Sequence, residues 1–360
     1  MIAAGQALAR TEELRALLAR YDGRADTTNV TFVVTQPTSG WSWSYGDAEA
    51  PYFVASITKL YTTAVTMQLV RDGLVELGAP IGRYLPADVV SGLNVSGGED
   101  HSSKITVGHL LAHTSGIADY FEQNRDDGST TFERALKNDV GWSSAEALDI
   151  AKHEMRPRFV PGRSGKAFYS DTNYQLLGAI IESVSRETYE SALDNRIFTP
   201  LDLRSTYLFS PETLGRYDSV SPLLYGTRRI RIPQAMASVR ADGGIVSTAA
   251  ESIRFLRAFM IGELFPESLL ADMQREWRRI FFPLQYGTGI MRFALPRIMT
   301  GFRAVPAMVG HSGASGAVAF HVPDIDLYVT GTVNQVKKRS LVYQLLTRIV
   351  MVVAARGGGG

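Results

Sequence analysis

Ser56 and Lys59 stand three residues apart in the segment Phe53-Val54-Ala55-Ser56-Ile57-Thr58-Lys59. In a helix, that spacing puts both side chains on one face, so Lys59 can reach the serine hydroxyl. Serine is a poor nucleophile until a base takes its proton. A lysine can serve as that base only if its pKa falls well below the ordinary value of about 10.4. Burial or a neighbouring positive charge would lower it. A helix start at Ser56 would surround a developing oxyanion with backbone N–H groups and the positive end of the dipole. Taken alone the pair is ambiguous. Ser56 can equally be read as a helix cap and Lys59 as a solvated first-turn residue.

Two further segments carry chemistry in the same order along the chain. Tyr169-Ser170-Asp171-Thr172-Asn173-Tyr174 opens an expected helix after Pro161-Gly162. A tyrosine there can pass protons if a lysine neighbour lowers its pKa. The plain alternative is a packed ring with a Ser/Asp cap. Gly310-His311-Ser312-Gly313-Ala314-Ser315-Gly316 lies in a strand pattern. Its glycines would let a substrate approach the strand edge. The N–H of Ala314 could then pair with that of Ser56 as an oxyanion hole. The alternative is a glycine-rich bulge beside a structural histidine.

Together the three segments resemble the serine β-lactamase and penicillin-binding-protein superfamily. They are most similar to the branch of class C β-lactamases, D-alanyl-D-alanine carboxypeptidases, D-aminopeptidases and related esterases. That branch carries Tyr-x-Asn as its second element and Lys- or His-x-Gly as its third. The segments from Ile105 to Ile117, from Gly243 to Ala249 and at Gly46-Asp47-Ala48 are similar too, so the resemblance runs from about Val30 to Arg348. It implies a two-step acyl transfer through a Ser56 acyl-enzyme. Lys59, Tyr169 and His311 would be catalytic, and the Ser56 and Ala314 N–H groups would hold the oxyanion. Asp171, Ser312 and Gly313 would touch substrate. The implied substrate is a small molecule: an ester, or a D-amino-acid amide or peptide. A penicillin-binding carboxypeptidase, a weak β-lactamase and an acyltransferase are the alternatives, with a non-catalytic scaffold of the same fold as the rival from another class.

Two positions depart from the branch pattern. Asp171 replaces its asparagine, and ionised Asp accepts hydrogen bonds but cannot donate them. Asp171 would therefore draw substrates presenting an amine, or simply cap the helix. His311 replaces the lysine of most β-lactamases of the branch. Both changes argue against efficient β-lactam hydrolysis.

The remaining candidates read more plainly. His109 and His113 have a metal-binding spacing but lack the intervening glutamate of a zinc hydrolase, so a structural role is expected. Trp41 and Trp43 read as packing. Arg228, Arg229 and Arg231 read as a solvated loop. Asn94-Val95-Ser96 is a weak glycosylation match.

These residues need a frame. The 360 residues are 45% hydrophobic and 20% charged, enough to bury a large core. A net charge of +1 gives no sign of a nucleic-acid partner. With no cysteine, disulfides and thiolate ligands are excluded, and nothing implies a cofactor. No apolar run is long enough for a membrane span. The N-terminal segment is an amphipathic helix rather than a signal peptide, which points to the cytoplasm, or to the periplasm or secretion if a leader has been removed. The oligomeric state is not readable. The glycines from Gly357 to Gly360 read as a linker remnant.

Hydrophobic periodicity predicts strands over Val30–Thr35, Trp41–Tyr45, Tyr286–Phe293, Ala307–His311, Ala317–Val322 and Asp326–Thr332. Helices are expected over Ser56–Asp72, Ile105–Ala112, Ser143–His153, Thr172–Val184, Glu187–Phe198, Ala249–Ile261, Pro266–Trp277 and Arg339–Ala354. Strands at both ends and helices between them give an α/β (α+β) fold. Its antiparallel sheet is flanked by helices and carries an inserted all-helical lobe. The sheet sub-domain would use about residues 1–60 and 235–356 of one catalytic domain, and the lobe about residues 61–234.

Overall fold

The computed structural model describes residues 2–300 and 304–355, so the closing glycines lie outside the described residues. The elements that frame the site are α1 (Ile2–Asp22), β1 (Thr31–Gln36), β2 (Trp41–Tyr45), α2 (Thr58–Arg71), α3 (Asp171–Ser185) and α4 (Ala249–Met260). They continue with β3 (Arg278–Phe281), β4 (Leu284–Tyr286), β5 (Met291–Phe293), β6 (Met308–Gly313), β7 (Ala317–Val322), β8 (Leu327–Thr332) and α5 (Ser340–Ala355). The eight strands form one antiparallel sheet in the order β3-β4-β5-β6-β7-β8-β1-β2. The two ends of the sequence therefore meet at β8 and β1.

Helices cover both faces of this sheet, so its central strands are apolar on both sides. Phe32, Val34, Val318 and Phe320 pack with Leu14 and Leu18 of α1 and with Leu345 and Ile349 of α5. Val33, Ala317 and Ala319 point the other way, toward the core that includes Ile253 and Leu256 of α4. The alternation is the period of two that a strand imposes. Trp43 is buried with the first set, and Trp41 packs against it.

The segment between β2 and α4 is mainly helical. It also carries two short hairpins, Val95–Ser96 with Glu99–Asp100 and Leu223–Tyr225 with Arg228–Ile230. A small sheet joins Tyr52–Phe53, Ile245–Ser247 and Tyr207–Leu208. Helix α2 runs through the middle, and its residues from Thr58 to Leu69 are all buried. A helix buried on every side must satisfy its polar groups internally. Thr62 Oγ1 donates to the Ala241 carbonyl at 2.7 Å, and Thr66 Oγ1 donates to the Thr62 carbonyl at 2.8 Å.

Three expected boundaries shift. Tyr286–Phe293 is two strands, because Gly287-Thr288-Gly289 turns the chain and Gly289 has φ +74. The helix expected up to Trp277 stops at Met273, and Trp277 leads into β3. The one expected over Glu187–Phe198 is helical from Tyr189 to Leu193 and then widens into a π turn over Asp194–Phe198. Ser143, by contrast, caps the Ser144–His153 helix by accepting from the Glu146 N–H.

The sheet closely approaches the turn ahead of α2 at Gly313. A Cβ on Gly313, at the end of β6, would collide with the Val54 carbonyl and press on Ala55. Gly313→Ala should therefore push β6 away from the turn that carries Ser56. Overpacking of this kind costs about 1–3 kcal/mol. Thermal melts should show a clear loss for Gly313→Ala and none for Gly78→Ala, where an added Cβ meets open space. Equal melting temperatures for the two variants would show that the contact is not tight.

Candidate active site

Ser56 sits in a 3-10 turn, Ala55–Ile57, directly ahead of α2. The α-helix thus begins at Thr58 rather than at Ser56. Ala55 takes φ +48, a conformation that costs an L-residue energy and is held by its surroundings. Ser56 lies on the wall of a cleft of about 320 Å³, together with Tyr169, Asp171, Ser312, Gly313 and Ala314. The opposite wall is apolar and includes Phe121, Phe132, Leu223, Ile232 and Met236.

Lys59 stands at the floor with 0% of its side chain exposed. Its Nζ donates to Ser56 Oγ at 3.2 Å and to the Asp242 carbonyl at 2.6 Å. It forms an ion pair with Asp171 Oδ1 at 2.6 Å. The rings of Tyr169 and Tyr174 lie 5.1 and 5.3 Å from Nζ, close enough for cation–π attraction. A group with three protons thus has three oxygen neighbours.

This corrects the expectation of a lysine with a lowered pKa. Burial does pull Lys59 down, but Asp171, Tyr169 and Asp242 together push it above its ordinary value. Lys59 is an ammonium at rest, and it donates to Ser56 instead of accepting from it. Tyr169 also departs from expectation. Burial pushes its hydroxyl up and Asp171 adds to that, outweighing the downward pull of Lys59 and Ser56. The phenol is therefore protonated at rest.

Asp171 is the first residue of α3, and its backbone N–H donates to Asp119 Oδ1 at 2.9 Å. Its carboxylate reaches the cleft wall but faces Lys59, so the lysine answers its charge. Ser170 occupies the cap position in its place. Asp119, Asp171 and Asp242 are all buried near this one lysine. Burial, followed by repulsion from Asp171, pushes Asp119 up to about 8. The same two causes raise Asp242, whose Oδ2 accepts from Tyr120 and Gln175 at 2.9 Å each.

His311 does not line the cleft. Ser312 and Ala314 do, while the strand's alternation turns His311 inward. Its Nδ1 lies 2.7 Å from the Ser312 carbonyl and its Nε2 lies 3.0 Å from the Tyr286 hydroxyl. Burial, followed by Lys59, pushes its pKa down to about 3. A neutral ring must donate from Nδ1 to that carbonyl, so Nε2 accepts from Tyr286. Tyr286 in turn accepts from Tyr174 at 3.0 Å. His311 therefore braces the tyrosines behind the cleft. Ser312 Oγ is hydrogen-bonded to the Tyr343 hydroxyl of α5.

His113 has the structural role expected of it, and it exercises that role at the site itself. Its ring lies 4.4 Å from that of Tyr169, centroid to centroid. Its Nδ1 accepts from the Ser170 N–H and the Asn173 side chain, both at 3.1 Å. It thus holds the start of α3, and with it Tyr169. His109 does not converge with it, because its Nδ1 accepts from the Thr106 N–H at 3.2 Å in a capping box. Asn94 is buried, and its amide donates to the Ser115 and Phe159 carbonyls at 2.9 Å each, so it cannot carry a glycan.

The state of His311 has a measurable consequence. Its pKa falls from 6.5 to about 3 on folding, so between those values the unfolded chain binds more protons. Stability attributable to this residue must rise with pH through that window. Denaturant titrations should show a shallower rise from about pH 4 to pH 6.5 for His311→Gln than for the parent. An unchanged slope would mean that the imidazole is not held neutral.

The geometry agrees with what the chain resembles. The sequence profile of the beta-lactamase family matches residues 15–349. A D-stereospecific amidohydrolase from Streptomyces sp. superposes with a TM-score of 0.72 at 27% identity, over 98% of this chain and 99% of that one. The D-amino acid amidase of Ochrobactrum anthropi SV3 gives 0.78 at 20% identity, over 98% and 100%. Penicillin-binding protein 4 of Amycolatopsis lactamdurans is 29% identical over 218 residues, or 59% of this chain, which spans about half (51%) of that protein. Among the described residues no helix is long and apolar enough to cross a membrane. With its profile matched over nearly the whole length and the fold shared, the chain belongs to the beta-lactamase family.

Proposed function

We propose that this chain is a serine hydrolase that forms an acyl-enzyme at Ser56 with a small ester or a D-amino-acid amide or peptide. The observation that carries this reading is Ser56 Oγ at 3.2 Å from Lys59 Nζ, on the wall of a cleft shared with Tyr169 and Ala314. Ser56 attacks the carbonyl carbon. Lys59 and Tyr169 move the serine proton to the leaving group, and the Ser56 and Ala314 N–H groups hold the oxyanion. Water then releases the acyl group. Ser312 and Gly313 form the strand edge against which substrate lies. The apolar wall around Phe132, Ile232 and Met236 suits a substrate with a large apolar group. The likeness to a D-stereospecific amidohydrolase at 27% identity supports the D-amino-acid class.

A penicillin-binding carboxypeptidase or weak β-lactamase is the second reading, favoured by the match to penicillin-binding protein 4. Asp171 facing Lys59 and the inward His311 weigh against efficient β-lactam turnover. A panel of p-nitrophenyl esters, D- and L-amino-acid amides and nitrocefin separates these classes, and adding an acceptor amine tests for acyl transfer. Failure to label with a fluorescent phosphonate would point instead to a non-catalytic protein.

Ser56→Ala should abolish turnover and phosphonate labelling while leaving the melting temperature near that of the parent. Removal of an activated nucleophile costs several orders of magnitude in rate. Retention of more than about a tenth of parental activity would require another nucleophile. Lys59→Ala and Tyr169→Phe should each be severe, and the double variant little worse than the worse single, because groups that act as a unit are non-additive. Strictly additive losses in kcat/KM would contradict a shared proton path.

A further inference from the structure

Asp171 occupies a position that the mechanism above leaves unused, in direct contact with the group that must accept the serine proton. Its Oδ1 lies 2.6 Å from Lys59 Nζ. With the Asp242 carbonyl at 2.6 Å and Ser56 Oγ at 3.2 Å, it completes the set of oxygens around the ammonium. We propose that Asp171 is a positioning residue acting through Lys59: while its carboxylate is ionised against the ammonium, Ser56 has no acceptor for its proton, and the serine becomes nucleophilic only after Lys59 has released a proton to solvent. This inference rests on the serine-hydrolase reading and concerns the regulation of that same site.

The step balances. One ammonium proton leaves through the Ser56 hydroxyl, which borders the cleft 3.2 Å away, to solvent base and leaves a lone pair on Nζ. The Ser56 hydroxyl proton moves to that nitrogen as Oγ bonds the carbonyl carbon and the π pair moves onto oxygen. When the tetrahedral species collapses, the same proton passes to the leaving oxygen or nitrogen as its bond to carbon breaks.

The surrounding charges bear on the pair from every side. Lys59 faces Asp171 and Tyr169 at the start of α3, and Asp242 from the short Arg240–Gly243 helix. His113 and His311, both buried and neutral, also lie within its field. Burial pushes the Asp171 carboxyl up and Lys59 pulls it back down, while Glu122 and Arg339, which pair with each other, act on it in opposite directions, and Asp171 in turn raises Asp119. Asp242 differs from Asp171 in one respect: its carboxylate is held by Tyr120 and Gln175, and only its backbone carbonyl touches Nζ. The contact and the general negative field can therefore be separated by mutation.

The experiment follows the rate of Ser56 labelling by a fluorescent phosphonate from pH 5 to pH 10. It compares the parent chain with Asp171→Asn, Asp171→Glu and Asp242→Asn. An opposite charge in contact favours the charged lysine, so its removal should move the rise in labelling rate to lower pH by at least about one pH unit in Asp171→Asn. Asp171→Glu should keep the parental profile, and Asp242→Asn should shift less. Thermal melts establish that each variant is folded, and Asp171→Ser carries the same test if Asn destabilises α3. A profile that stays in place or moves to higher pH in Asp171→Asn overturns the proposal, as does an equal shift in Asp242→Asn. Labelling of Ser56→Ala at the parental rate would instead overturn the serine-hydrolase reading itself, so the two failures are distinct.

Discussion

A lysine ammonium whose side chain is wholly buried must find its partners inside the protein, and the layout of this site follows from where those partners come from. Lys59 is the second residue of a helix that is buried along almost its whole length. Desolvating a charge is costly unless oxygens replace the lost water. Here the adjacent turn ahead of α2 and two segments distant in sequence, the start of α3 and the short Arg240–Gly243 helix, supply them. Each must arrive within hydrogen-bonding distance, and in doing so it brings Ser56, Tyr169 and Asp242 together.

The means of fixing α3 shows how tightly that arrival is specified. The loop after His113 threads along the first residues of the helix. The Ala118 carbonyl accepts from Ser170 Oγ at 3.1 Å and from Thr172 Oγ1 at 2.7 Å, and Ser115 Oγ donates to Asn173 Oδ1 at 2.6 Å. Buried polar networks that are fully paired enforce one geometry, because any displacement leaves a donor or acceptor without a partner. The sheet reaches the turn that carries the nucleophile through Gly313, whose missing side chain lets β6 lie against Val54 and Ala55.

The electrostatics of the site depart from the simple picture of a lysine made basic by burial. Burial does lower Lys59, but contact with Asp171, with Tyr169 and Asp242 behind it, outweighs that pull. The result is a resting site in which serine, lysine and tyrosine all carry their protons. A family in which this position usually holds asparagine would leave the lysine with one counter-charge fewer. Asp171 is thus a residue at which this chain departs from the branch pattern that its motifs resemble.

Much of this could be read from the residues in order. The 3.6-residue period placed α2, α3 and α5, and the apolar run in Ala317–Val322 marked a strand. The spacing of Ser56 and Lys59 paired them because three residues along a helix is a local distance. The resemblance then brought Tyr169 and the His311 segment into the same argument. What could not be read was set by packing between segments far apart in sequence. Nothing near Lys59 in the chain announces Asp171 or the Asp242 carbonyl, so the expected direction of its pKa came out reversed. His311 belongs to the motif, but the pleat of β6 keeps it out of the cleft lining and sets it behind Tyr169, 6.3 Å ring to ring, while Ser312 and Ala314 line the cleft. The structural role of His113 was legible but its partner ring was not, because Tyr169 lies more than fifty residues on. Local periodicity governs which elements form and which face they bury. The sign and strength of a buried charge depend on every oxygen that the folded chain brings within a few ångströms, and only the tertiary structure determines that set.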